Sequence, residues 1–338
     1  MENSGVPGQG GTDTAAKTAG QAVMLANRLA KRQKHLARWA RRRGINAYRL
    51  YDRDIPEIPL ALDWYNGAVA GALYKRPYQK DPAEEKRWLE TMRRAAAEAL
   101  GIDPSRIFFK LREPQRGHSQ YGKTGRGEFL TEVSEGPLLF RVDLSGYLDT
   151  GLFLDRRLLR RRIREEAPGR RVLNLFSYTG SLSVCAAAGG AALVDSVDLS
   201  NTYLAWAREN FLLNRPVLGD RPCGCRFIRA DVRRFLEEAS AEKRRWDLII
   251  LDPPAFSNSK KMRTPFDLKR DHQELLARCL PLLKEGGTLY LSATVRGFKL
   301  TLPPQDRGLS LRDISEQLRD EDYRGKPIPA TYRISFSG

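Results

Sequence analysis

Cysteine is scarce in this 338-residue chain: Cys185, Cys223, Cys225 and Cys279 are its whole supply. Four at such irregular spacing build no disulfide framework in a chain this long, which points to a reducing compartment. Cys223 and Cys225 form only a Cys-x-Cys, with no Cys-x-x-Cys or histidine cluster beside them, so no metal site is expected. No apolar run approaches the roughly 20 residues of a membrane span. The amino-terminal stretch lacks the apolar core of a secretion signal. The expectation is a cytoplasmic protein without membrane contact. Also missing is the Gly-x-Gly-x-x-Gly turn that lets backbone approach a pyrophosphate, which argues against a dinucleotide cofactor.

Acid is the other deficit. Against 58 Lys+Arg stand 41 Asp+Glu, a formal charge of +17. Such a surplus repels itself and is usually carried for a polyanionic partner, with bulk solubility as the plainer explanation. No acidic residue occurs from Thr14 to Tyr51. Inside that stretch Leu25, Leu29, Leu36 and Trp39 share one stripe at helical period, and Lys31, Lys34, His35, Arg38, Arg41 and Arg42 fall opposite. A solvated face stabilised by pairs four residues apart needs both signs. A single-signed face favours a helix that contacts phosphates.

Four segments are expected: a disordered tail over 1–20, the basic helix over 21–44, a small α+β RNA-binding domain over 45–148, and a second domain over 149–338. In the small domain, strands are read at 58–65, 68–74, 107–111, 128–133 and 138–142, with a charged helix over 82–100. Its loop 115–127, with four glycines, Arg116, His118, Lys123 and Arg126, suits either RNA contact or a plain hairpin connection. Beyond Gly151 strands alternate with helices. After a helix over 156–166, strands are read at 171–176, 193–198, 225–230, 247–251, 288–292 and 332–336, with helices at 202–214, 233–243 and 269–283. This is the pattern of an α/β protein with a mostly parallel, doubly wound sheet.

In such a sheet ligands sit beyond the carboxyl ends of the strands, and four of those ends are chemically marked. One runs into Asn174-Leu175-Phe176-Ser177-Tyr178-Thr179-Gly180, where the glycine would admit a small nucleoside-bearing ligand. The next ends in Val197-Asp198-Leu199-Ser200, an acid that can accept from both ribose hydroxyls. A third ends in Asp231, which can meet an adenine amino group. The fourth ends in Asp252-Pro253-Pro254-Ala255-Phe256, where two prolines stiffen an acceptor edge and Phe256 is left to stack on a planar base. Singly, each acid is explained as a turn or helix cap. Four in register make a site.

At these residues the sequence resembles bacterial 23S rRNA methyltransferases, above all the C-terminal, N7-methylguanine-forming half of the bifunctional guanine methyltransferase. The resemblance rests on Asn46–Asp52, on Tyr147-Leu148-Asp149-Thr150-Gly151-Leu152-Phe153-Leu154-Asp155-Arg156, and on Asn174–Gly180. It continues through Val197–Ser200 with Tyr203, Asp252–Met262 and Arg296-Gly297-Phe298. It implies a Rossmann-like class I fold and S-adenosylmethionine as cofactor. The implied cofactor residues are Asp155, Phe176, Tyr178, Gly180, Asp198, Asp231 and Asp252, and Asn174, Thr179 and Leu199 are expected beside them; from the residues themselves, the expected catalytic set is Asp252, Pro253, Pro254 and Phe256, with Asp252 orienting the base that the others hold. Because only that half is matched, one of the bifunctional protein's two activities is expected. The Asn-Asn-Lys that precedes Arg-Gly-Phe in such enzymes is replaced by Ala293-Thr294-Val295.

Methylating C5 of a pyrimidine needs a cysteine nucleophile, and neither 252–262 nor 289–296 contains one. Guanine N7 offers an in-plane lone pair and no proton, so neither base nor covalent step is required. Its edge lies in the deep, narrow groove of A-form RNA, so the target must be looped or flipped out. The expected partner is 23S rRNA or a large-subunit precursor. Phosphate contacts are assigned to Lys31, Lys34, Arg38, Arg41 and Arg42, to Arg156 and Arg160 in the run Arg156, Arg157, Arg160, Arg161, Arg164, and to Lys260. Guanine N2 is the alternative target, and a non-catalytic RNA-binding or assembly factor on the same fold is the alternative class.

Overall fold

The computed structural model describes residues 10–74, 81–112, 129–219, 224–258, 264–303 and 308–336. Contacts divide the chain into two units, Met1–Gln115 and Arg116–Gly338. The division falls well ahead of the boundary expected at 148/149. The basic loop over 115–127 lies outside the described residues.

In the first unit α1 runs over Gly10–Arg42, so helix occupies part of the stretch expected as tail. Leu25, Leu29, Leu36 and Ala40 are buried, while Lys31, Lys34, Arg38, Arg41 and Arg42 are exposed. The apolar stripe packs on α2 (Pro82–Leu100), where the buried Trp88 indole donates to Gln21 Oε1 at 2.7 Å. Asp81 caps α2, Pro82 starts it and Gly101, at φ +65°, ends it. Strands β1 (Ala47–Asp52), β2 (Leu60–Tyr65), β3 (Ala68–Tyr74) and β4 (Ile107–Arg112) form one sheet in that order. The pairs β1–β2 and β2–β3 are antiparallel; α2 crosses over to make β3–β4 parallel. The Asn46–Asp52 motif lies mostly in β1. Its Arg49 engages Asp63 through Nε and Nη2 (2.8 and 2.9 Å) and Asp52 through Nη1 (2.9 Å).

The second unit opens with a hairpin, β5 (Leu130–Glu135) and β6 (Leu138–Asp143). It then alternates: α3 (Arg157–Glu166), β7 (Arg171–Leu175), α4 (Ser181–Ala188), β8 (Leu193–Asp198), α5 (Asn201–Leu213), α6 (Arg215–Leu218), β9 (Gly224–Arg229), α7 (Val232–Ala241) and β10 (Trp246–Leu251). The miniature pair β11 (Phe256–Ser257) and β12 (Phe266–Asp267) precedes α8 (Leu268–Cys279), β13 (Leu283–Ala293), β14 (Leu309–Asp313) and β15 (Ala330–Phe336). The hairpin belongs here because α5 satisfies its backbone: Asn210 Oδ1 accepts from the Arg141 amide and Asn214 Oδ1 from the Leu139 amide, at 2.9 and 2.8 Å.

The main sheet has the order β14-β15-β13-β10-β7-β8-β9. Strands β13, β10, β7, β8 and β9 are parallel, and β15 runs against both of its neighbours. This is the doubly wound α/β sheet the sequence led us to expect. Residues Leu248–Leu251 of β10 are wholly buried, as a strand covered by helices on both faces must be. From β7 the chain winds one way to β8 and β9, and from β10 the other way to β13. The switch point therefore lies between β7 and β10.

Two buried arginines tie distant segments of this unit together. Arg157 reaches Asp320 (3.1 Å) and Asp322 (2.9 Å), and Arg160 pairs with Glu135 and donates to the Phe153 carbonyl at 2.8 Å. Among the described residues no helix is long and apolar enough to cross a membrane. Cys185 and Cys279 are free and buried. Cys225 is disulfide-bonded, which the reading of wholly reduced thiols did not foresee.

Candidate active site

Register brings the marked strand ends together. Leu251 pairs with Leu175, Leu175 with Val197, and Val197 with Ile228. One residue further along each strand come Asp252, Phe176 and Asp198, followed on β9 by Arg229 and then Asp231. Neighbouring strands lie about 4.8 Å apart, so Asp252 to Asp231 spans roughly 14 Å across three such gaps. The three acids share one edge at the topological switch point, where a doubly wound sheet takes its ligands.

The turn after β7 is wound through left-handed backbone at Phe176 (φ +56°), Tyr178 (+50°) and Gly180 (+74°). Aromatic residues tolerate that region at a cost of about 1–3 kcal/mol each, and such strain collects at ligand sites. It is held by Asp198, which accepts the Tyr178 amide at 2.9 Å and the Ser200 amide at 2.8 Å. Burial pushes the Asp198 carboxyl up to about 6, and those amides only partly offset it. Beside it the Tyr178 ring meets Phe153 at 5.2 Å and Tyr203 at 4.5 Å, while Leu199 is half-buried. Phe176 packs on Phe266 at 5.6 Å.

Several assignments change. Arg156 and Arg160 are not phosphate ligands: they are 5% and 1% exposed and spend their guanidinium groups on internal carboxylates. Arg156 clamps Asp252 from two sides, Nε to Oδ2 at 3.0 Å and Nη2 to Oδ1 at 2.7 Å. Burial acts to lower the Arg156 pKa, but Asp252 and Asp155 outweigh it and hold the guanidinium charged. Asn174 and Thr179 each spend one polar group inside the fold. The first is buried, with its amide on Ser183 at 2.8 Å; the second is buried, with its hydroxyl on the Gly151 carbonyl at 2.6 Å. Gly180 leaves no room for a ligand where its Cβ would stand, because Ala207 of α5 would be 2.7 Å away. Its glycine serves close helix packing and a left-handed turn.

Asp231 caps α7 through Oδ1, accepting the Arg233 and Arg234 amides at 3.0 and 3.2 Å, and stays half-buried at the edge. Pro253 is buried and Pro254 half-buried, whereas Phe256 is 39% exposed. Lys260 lies outside the described residues. Sequence reasoning quoted Phe153 and Tyr203 in its motifs but gave them no place in the site, and it missed the inward role of Arg156.

The residues present fit a polar cofactor. Asn174 Oδ1 and Ser177 Oγ are buried without a hydrogen-bond partner among the described residues, both at the carboxyl end of β7. A buried polar atom left unpaired costs about 1–3 kcal/mol, and a ligand rich in hydroxyl, amine and carboxylate groups is the kind that satisfies such atoms.

A doubly wound sheet of this strand order, with acids at three of four neighbouring tips and no diphosphate-binding turn, defines the S-adenosylmethionine-dependent methyltransferase class. The chain belongs to that family, whose model matches residues 46–298. It is 46% identical over 310 residues to the ribosomal RNA large subunit methyltransferase K of Neisseria meningitidis serogroup B, covering 92% of this chain and 86% of the relative. It is also 46% identical over 306 residues to the methyltransferase K/L of Chromohalobacter salexigens, covering 90% of this chain but 41% of that longer protein. A methyltransferase crystallised with SAH superposes with a TM-score of 0.71 at 22% identity, covering 93% of this chain and 81% of its own. A SAM-dependent methyltransferase from Streptococcus mutans gives 0.71 at 21%, with the same coverage.

Proposed function

We propose that this chain methylates N7 of a guanine in the RNA of the large ribosomal subunit, 23S rRNA or its precursor, with the target base turned out of its helix. The observation that carries the reading is the single edge on which Asp198, Asp252 and the exposed Phe256 stand. Relatives named as large-subunit rRNA methyltransferases support the RNA class. When bound, S-adenosylmethionine supplies a methyl group on a positively charged sulfur. Asp198 would accept its ribose hydroxyls, and the strained Phe176–Gly180 turn, Asp155 and Asp231 are the other residues that would hold it.

The remaining work of this chain is positional, and well-oriented reactants gain about 7–11 kcal/mol that way. Phe256 offers a face for the base to stack on, and the Pro253-Pro254 turn fixes the height of that face above Asp252. Both Asp252 oxygens are already engaged by Arg156. That arrangement suits N7, which asks no base of the enzyme, better than N2, whose amine must lose a proton. A covalent route through C5 of a pyrimidine finds no support from the free thiols: Cys185 is buried with its pKa pushed up to about 12, and Cys279 is pushed up likewise by burial.

Mass spectrometry of digested rRNA after reaction should place the new methyl on N7; N2-methylguanine would replace this reading with its rival. Phe256→Ala is expected to lower turnover by one to two orders of magnitude, since stacking on an aromatic is worth about 1–3 kcal/mol. Calorimetry should find its cofactor affinity nearly unchanged. Equal loss of both would remove Phe256 from base recognition.

A further inference from the structure

With Arg156 and Arg160 turned inward, the second unit needs another surface for phosphates. The carboxyl edge of its sheet supplies one. Lys269, Arg296 and Lys299 are exposed there, and none forms an ion pair among the described residues. Their neighbours behave differently: Arg233 and Arg270 both pair with Asp271, at 2.8 and 2.5 Å.

The three cations lie around the candidate base site. Lys269 stands in the first turn of α8, and the residue before it, Leu268, donates its amide to the Ala255 carbonyl at 3.1 Å, inside the Asp252–Phe256 loop. Arg296 and Lys299 leave the carboxyl end of β13, the strand paired with β10. Their segment is held on the first two turns of α8. The Phe298 ring meets His272 at 5.2 Å, and Thr301 Oγ1 contacts His272 Nε2 at 3.0 Å and accepts from Gln273 Nε2 at 2.8 Å. Stability gives no reason for Lys269, because a cation at a helix amino terminus opposes the dipole by about 0.3–1 kcal/mol.

We propose that Lys269, Arg296 and Lys299 grip the phosphates flanking the target nucleotide, so that the RNA strand crosses the rim of this sheet beside Phe256. This deepens, and rests on, the reading of an RNA substrate. A base turned in toward Asp252 leaves its own sugar-phosphate links outside, on the surface these side chains occupy. They carry no sequence information; they set register and orientation.

The test compares the full chain with a Lys269→Ala/Arg296→Ala/Lys299→Ala variant, titrating a large-subunit rRNA fragment across a range of salt. Each single-strand phosphate contact contributes about −0.7 to the slope of log K against log salt. The variant's slope should be shallower by roughly 2, and its affinity roughly 100-fold weaker at 0.1 M salt, from three such contacts. Cofactor affinity and Tm should not move, and a Lys269→Arg/Arg296→Lys/Lys299→Arg variant should bind like the parent. An unchanged slope with affinity within threefold overturns the proposal. So does full loss in a Lys31→Ala/Lys34→Ala/Arg38→Ala variant alone, which would put the strand on the amino-terminal unit. Salt-independent binding by the parent chain would instead defeat the RNA reading itself.

Discussion

Arg156→Ala is expected to destabilise the second unit by about 3–5 kcal/mol, the usual cost of removing one member of a buried ion pair. The guanidinium is 6% exposed and its partner Asp252 13%. In the variant that carboxylate stays in the same low-dielectric place with its counter-charge gone and two hydrogen bonds unmade. For a unit of about 200 residues this corresponds to a Tm lower by roughly 6–20 °C. Activity should fall with it, because the Asp252–Phe256 loop loses its anchor. Arg156→Lys keeps the charge but not the two-pronged grip, and should recover part of the stability and less of the turnover. Arg156→Met with Asp252→Leu separates the two effects. Replacing both charges with apolar groups should restore most of the stability while turnover stays low. A single Arg156→Ala variant within 1 kcal/mol of the parent would show that the pair contributes nothing of the kind.

Asp198→Ala is expected to weaken S-adenosylmethionine binding by about two to four orders of magnitude, since each of two hydrogen bonds to a charged acceptor contributes roughly 1.5–3 kcal/mol. The same substitution releases the Tyr178 and Ser200 amides, so the strained turn should also become easier to open. Calorimetry checks the first expectation and amide exchange the second; an affinity within threefold of the parent removes Asp198 from the cofactor site. A pH series gives a further signature. Burial holds this carboxyl near 6, against an ordinary value near 3.9. As pH falls through about 6 the folded protein takes up a proton before the unfolded chain does, so this group's contribution makes the free protein more stable between about 6 and 4. Over the same window the carboxylate is lost as an acceptor and cofactor affinity falls by up to about tenfold per pH unit. Stability and affinity thus move in opposite directions as pH drops, which general acid unfolding does not produce.

The sheet and its marked tips were legible because parallel strands are written as short apolar runs, two of which end directly in Asp, at Val197–Asp198 and Leu251–Asp252. Strand β1 and the edge strand β14 were missed. Tyr48-Arg49-Leu50-Tyr51 and Ser310-Leu311-Arg312 mix charge into too few residues to show a period. The pairings that sustain those strands, Arg49 with Asp63 for one, lie across the sheet. The assignment of Arg156 and Arg160 failed for a reason that was present in the sequence. Arg156, Arg160, Ile163 and Ala167 recur at the helical spacing of a buried stripe, and all four are buried. A charge on such a stripe calls for an internal carboxylate. Which carboxylate it meets, Asp252 or Glu135, is set by tertiary packing between segments 25–96 residues apart.

The order in which the last strands enter the sheet constrains how this unit can be assembled. β14 touches the rest of the sheet only through β15, which is inserted between it and β13. Until residues 330–336 have been synthesised, β13 presents an open hydrogen-bonding edge and β14 has nothing to pair with. Arg157, synthesised far earlier, has Glu135 as a partner (3.6 Å) but likewise waits for Asp320 and Asp322. At about 5–20 residues per second the wait from Arg157 lasts roughly 8–33 seconds, during which an unpaired strand edge coexists with a cation that still lacks two of its carboxylate partners. A nascent chain stalled in that interval is the form in which this protein is most prone to edge-to-edge association.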